Sequence, residues 1–89
     1  MEKLKVGKHG FTFAKLTRKD RKILLKKGID LNALSYESMD TCMDEVFKIC
    51  LLEKDDHEAD KLSMGDEEKL FEGIIKISRG VLLSDSEKN

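Results

Sequence analysis

Residues 3–15, KLKVGKHGFTFAK, limit the fold more than any other stretch of this chain. Leu4 and Val6 alternate with Lys3 and Lys5, Phe11 and Phe13 flank Thr12, and the glycine-rich run Gly7-Lys8-His9-Gly10 lies between them. Period-two alternation on both sides of such a turn predicts a β-hairpin with one apolar face. A lone hairpin is marginal in water, so that face must be covered by something else. Leaving four such side chains wet would forgo about 1.5–3 kcal/mol each. The remainder of the chain has to supply the cover, and it reads as helices.

Thr17 and Asp20 have the spacing of a capping box, and Gly28 can end the helix that it starts. This predicts a helix over about 18–27, with Ile29 placed to touch Leu24 in a Schellman stop. Its apolar side is narrow: Leu16 just before it, then Ile23, Leu24 and Leu25. Ser35 is the expected cap of a second helix over about 36–53, with Glu37 near the positive end of its dipole. Tyr36, Met39, Met43, Val46, Phe47 and Cys50 keep the three-four rhythm of one buried stripe. The polar run EKDDHEADK then reads as a solvated connection or a short helical turn. Ser63 and Asp66 repeat the box spacing ahead of a third main helix, about 64–79, whose stripe is Leu70, Phe71, Ile74, Ile75 and Ile77. Gly80 is its stop, with Val81 able to reach back to Ile75. Gly73 falls in mid-helix, at a cost of about 1 kcal/mol relative to Ala, which close approach by another element would explain. The expected fold class is therefore α+β. An N-terminal hairpin over 3–15 packs on a small three-helix domain spanning 1–84, with 85–89 a disordered tail.

Eighty-nine residues allow one modest core and not two. Hydrophobic residues make up 39% of the chain, enough to fold, although charged residues are equally abundant. There is no apolar run of about 18 residues, so no membrane contact is expected. Residues 1–5 lack an apolar h-region, so neither is a secretory signal. Cys42 and Cys50 lie on one predicted helix, and a rise of about 12 Å over eight residues is too long for a disulfide. Two buried thiols in a reducing cytoplasm are the expectation.

The charge is polarised. Residues 1–29 carry ten Lys or Arg against two acids, and residues 30–89 carry seven against sixteen. Half of residues 15–28 are basic, and Arg18, Lys22 and Lys26 form a row at four-residue spacing. Such a row can hold phosphate, but an acidic body opposes that binding. No Asn or Gln is offered toward base edges, and no helix precedes this one as a helix-turn-helix requires. Nucleic-acid binding is therefore not the leading expectation.

The histidines, cysteines and acidic runs are the candidates for catalytic or metal chemistry. The acids around His57 lack the glycine turn and terminal Glu of an EF-hand loop, and read as a solvated cluster. His9 is expected to be exposed in the hairpin turn. Neither cysteine has a nearby histidine, and GKHG lacks the spacing of a phosphate loop. No catalytic residue, metal or cofactor is expected.

The order of elements resembles a known family. LKVGKHGFTFAKLTRKD, then LLKKGIDL, a helix striped with Met, Phe and Val, and LFEGIIKISRGV are similar to the small tail assembly chaperones of tailed bacteriophages and prophages. The resemblance runs from about Leu4 to Leu83. It implies a non-enzymatic, cytoplasmic binder that keeps a long helical tape measure protein soluble until the tail tube polymerises around it. The family has no catalytic residues to carry over. Surplus apolar surface on the last helix and beyond its stop marks a protein contact. Phe71, Ile74, Ile75, Val81, Leu82 and Leu83 are the expected contacts with such a partner or with a second copy. The alternative is a small phage-type regulator that binds nucleic acid through the basic helix, residues 15–27.

Overall fold

The backbone follows the N-terminal alternation closely. In the computed structural model, which describes residues 1–80, β1 (Glu2–Val6) and β2 (His9–Phe13) pair antiparallel, with Val6 opposite His9 and Leu4 opposite Phe11. The turn is tighter than the four residues expected, consisting of Gly7 and Lys8 alone. Gly7 has φ 61°, and among the described residues no non-glycine residue has positive φ. Glycine at the first central position is what a type II′ hairpin turn requires. Leu4, Val6, Phe11 and Phe13 all point into the core.

Four helices follow among the described residues: α1 (Arg18–Lys26), α2 (Met39–Cys50), α3 (Glu53–Ala59) and α4 (Met64–Ser78). The fold is α+β, as the alternation and caps predict. The expected domain limit at residue 84, the tail 85–89 and the contacts of Val81, Leu82 and Leu83 lie outside the described residues.

Helix α1 is set by local chemistry at both ends. Thr17 Oγ1 accepts from Asp20 N–H at 3.2 Å, and Asp20 Oδ2 accepts from Thr17 N–H at 2.9 Å, closing the box. At the other end Gly28 takes φ 82°, and Ile29 N–H donates to Leu24 O at 2.9 Å, the Schellman bond. Leu24 is the helix's one buried residue, and Ile23 and Leu25 remain substantially exposed. The narrow apolar side is therefore narrower still.

Helix α2 is shorter than the expected 36–53, and each end has a physical reason. Ser35 Oγ does accept from Ser38 N–H, at 3.2 Å, but the residues between form a tight turn with i→i−3 bonds. The α-helical pattern begins only when Cys42 N–H reaches Ser38 O. Serine hydroxyls that bond the local backbone compete with the helix in this way. Tyr36 is consequently 95% exposed rather than part of the stripe. At the far end Leu51 is extended and bridges to Phe13, while Ala14 N–H donates to Cys50 O at 3.0 Å. Pairing with β2 ends the helix. After this break the polar run 53–59 forms two turns of helix, α3.

Helix α4 matches its expected span and lies against β1. Ser63 Oγ accepts from Asp66 N–H, while Asp66 Oδ2 lies 3.5 Å from where a Cβ on Gly7 would stand. Gly73 has the reason that its position suggested. A methyl there would overlap a δ-methyl of Leu4, itself buried, so glycine lets β1 sit down on α4. Gly73→Ala would gain about 1 kcal/mol of helix propensity but crowd the core at a cost of about 1–3 kcal/mol. The expected net result is a lower denaturant midpoint. In a Leu4→Ala background the same change should become neutral or stabilising, because the overlap is gone. A stabilising effect in the unaltered chain would contradict this packing.

Candidate functional site: an arginine-rimmed groove

Leu16, in the connection before α1, donates its N–H to Ser78 Oγ at 2.9 Å and so ties that connection to the end of α4. The 31–32 turn is held to the same place. Arg79 Nη2 donates to Leu31 O at 3.2 Å and to Asn32 Oδ1 at 3.1 Å. Between these ties lies a groove of about 390 Å³. Leu16, Leu31 and Ile75, all half-buried, supply its aliphatic surface. Arg18, Arg21 and Arg79 supply three guanidinium groups, with Thr17, Asn32 and Ser78 between them.

The sequence-predicted residues divide around this groove. Ile75 lines it, whereas Phe71 and Ile74 are buried in the chain's own core, at 5% and 0% exposure. The reason is that β1 and α2 both pack on α4, so these two side chains are not free to meet a partner. Arg18, Lys22 and Lys26 are exposed, as a helical row should be, and none has an ion-pair partner among the described residues. Of the basic residues in 15–28, Lys15 meets Glu2 at 3.7 Å and Lys27 meets Glu45 at 2.7 Å. The Lys27 hydrogen bond holds the Glu45 carboxyl below its usual range, although burial opposes it. Sequence spacing joined Arg18 to Lys22 and Lys26, but the fold joins Arg18 and Arg21 to Arg79. The available signal was Arg79 standing just before the Gly80 stop, where a helix end meets whatever packs beside it.

A second polar centre lies between β2 and α3. Asp55 is 3% exposed, the one buried charged residue among those described. Its Oδ2 accepts from Thr12 N–H at 3.0 Å and its Oδ1 lies 3.2 Å from His9 Nε2. Burial pushes its carboxyl up, but the Thr12 and His9 bonds outweigh this and leave it below the ordinary carboxylate range. The His9 ring meets Phe11 edge-on at 4.6 Å. His9 is thus half-buried rather than loose in a turn, and the acidic run 55–60 is solvated except where Asp55 turns inward. The hint was the i, i+4 pairing of Asp55 with Ala59, both on the inner side of α3. This centre holds β2 and α3 together.

The remaining chemistry is quiet. Cys42 and Cys50 are buried free thiols. Burial raises both, and Cys50 reaches about 12 with a further push from the Asp20 charge. Thiols held so far toward the protonated form are poor nucleophiles. Glu67 is raised by burial and by Asp44, Asp40, Asp60 and Glu68, which marks an acidic face contributed by α2, α3's end and α4. Among the described residues no group of His, Cys, Asp or Glu is arranged to hold a metal ion, and no helix is long and apolar enough to cross a membrane. Comparison with known protein families, with curated proteins and with solved structures finds no match to this chain.

Proposed function

We propose that this chain is a non-enzymatic protein-binding module that seats side chains of a protein partner in the groove between α1 and α4. One observation carries the reading: aliphatic side chains of Leu16, Leu31 and Ile75 line an open groove, rimmed by guanidinium groups that meet no carboxylate among the described residues. A concave apolar surface with a few fixed polar groups is what a partner's anchor residues require. The resemblance of the sequence to phage tail assembly chaperones gives this reading its most specific form. In that form the partner is a long helical tape measure protein and the setting is the bacterial cytoplasm. Co-expression with such a protein should yield a soluble complex. Leu31→Glu, which puts charge on the groove wall at a half-exposed position, should weaken the complex at least about tenfold. Recovery of free monomer alone, by sedimentation of the co-expressed pair, would defeat the chaperone reading.

The exposed, unpaired row of Arg18, Lys22 and Lys26 favours a second reading, a regulator that binds nucleic acid through residues 15–27. Phosphate contacts would show as affinity for duplex DNA that falls steeply between about 50 and 200 mM salt. Under the protein-binding reading no such affinity is expected at physiological salt. Its presence, and its loss when all three residues become Glu, would decide for the regulator.

A further inference from the structure

Resting on the groove reading, we infer that the occupant is an acidic peptide segment with aliphatic anchors, its carboxylates paired with Arg18 and Arg21. At about 390 Å³ the groove admits a few anchor side chains of a segment lying over it. Three aliphatic residues contribute to the lining and no aromatic ring does, so the groove lacks the aromatic platform on which single-strand nucleic-acid grooves stack bases. Apolar anchors with charged flanks are the chemistry of a peptide.

The sign of the flanks follows from what the arginines lack. Arg18 and Arg21 have no carboxylate partner among the described residues. The one acid in the first turn of α1, Asp20, is engaged by Thr17 N–H. Arg79 is held by two neutral oxygens, Leu31 O and Asn32 Oδ1, through Nη2 alone. Among the described residues no carboxylate meets it, so its Nε and Nη1 hydrogens and its charge remain for an incoming group. A guanidinium fixed in advance loses little freedom when a carboxylate arrives, and the planar forks of Arg18 and Arg21 match that anion in two-point geometry. Arg79 therefore adds a fixed positive charge beside the pairing made by Arg18 and Arg21. A basic or neutral segment with the same anchors would leave these charges unanswered.

The test uses the full chain and a displayed peptide library in which Leu is fixed at the anchor positions and the other positions vary among Glu, Gln and Lys. Selection should enrich Glu beside the anchors. The best peptide, followed by fluorescence anisotropy, should bind at least about tenfold more tightly than its Glu→Gln counterpart and weaken as salt rises. The R18E/R21E double variant, whose exposed positions leave folding intact, should reverse the preference and select Lys. Its thermal melt, compared with that of the unaltered chain, verifies that it is folded. Equal binding of the Gln counterpart, or a double variant that still selects Glu, would overturn the assignment of acidic flanks while leaving the groove as a docking site. Failure to enrich any peptide would overturn both.

Discussion

Truncating Phe13 to Ala is expected to destabilise the domain by about 3–5 kcal/mol, the cost of emptying a fully buried aromatic site. Phe13 is wholly enclosed, and its backbone also bridges to Leu51 at the α2–α3 break. A domain of this length has a total stability of roughly 4–13 kcal/mol. The variant should therefore be unfolded or close to it near body temperature, which a urea titration followed by circular dichroism would show. Phe13→Leu keeps most of the volume and should cost much less. A loss below about 1 kcal/mol for Phe13→Ala would mean that the hairpin is not the lid of this core.

The second large effect is expected at Asp55. Hydrogen bonds to a charged group contribute about 1.5–3 kcal/mol, and Ala would remove the acceptor of both the Thr12 and the His9 bonds. A loss of about 2–3 kcal/mol corresponds to a fall in melting temperature of roughly 10–20 °C in a domain this small. Asp55→Asn keeps the shape and one acceptor oxygen and should lose less. The pH dependence has a definite sign. Because the folded carboxyl is held below its ordinary value of 3.8, its contribution is fully present above that value. It is lost as pH falls through the depressed folded value. Acid unfolding monitored below about pH 4 should thus show a shallower limb for Asp55→Asn than for the unaltered chain. Parallel limbs would mean that the carboxylate is not what the acid titrates.

How far these features could be read from the chain depended on distance along it. The hairpin, the Thr17–Asp20 box and the Gly28 stop are local, each fixed by residues within a few positions of one another, and all were legible. Ser35 shows the limit even of local reading, since the same hydroxyl that can cap a helix can tighten a turn. Asp55 was hidden because its partners stand 43 and 46 positions away and its neighbours are truly solvated. Phe71 and Ile74 show a related limit. Periodicity reveals that a face is apolar but not whether the same chain covers it. The groove draws on 16–18, 21, 31–32 and 75–79, and only packing brings those segments together.

The tie between the beginning and the end of the described chain has a consequence for how the protein is made. Leu4 seats against Gly73, and Leu16 N–H is bound to Ser78 across 62 positions. During synthesis the hairpin emerges well before α4, which covers it. Contacts of such long separation form late because loop closure must come before them. Until α4 has left the ribosome, Leu4 and Val6 lack part of their cover, and the nascent chain shows the cell a greasy ribbon. The lysines at 3 and 5, alternating with those residues, keep its other face charged during that interval. Such gatekeeping charges discourage strand-to-strand association between neighbouring nascent chains. Folding of this domain is thus timed by the completion of α4.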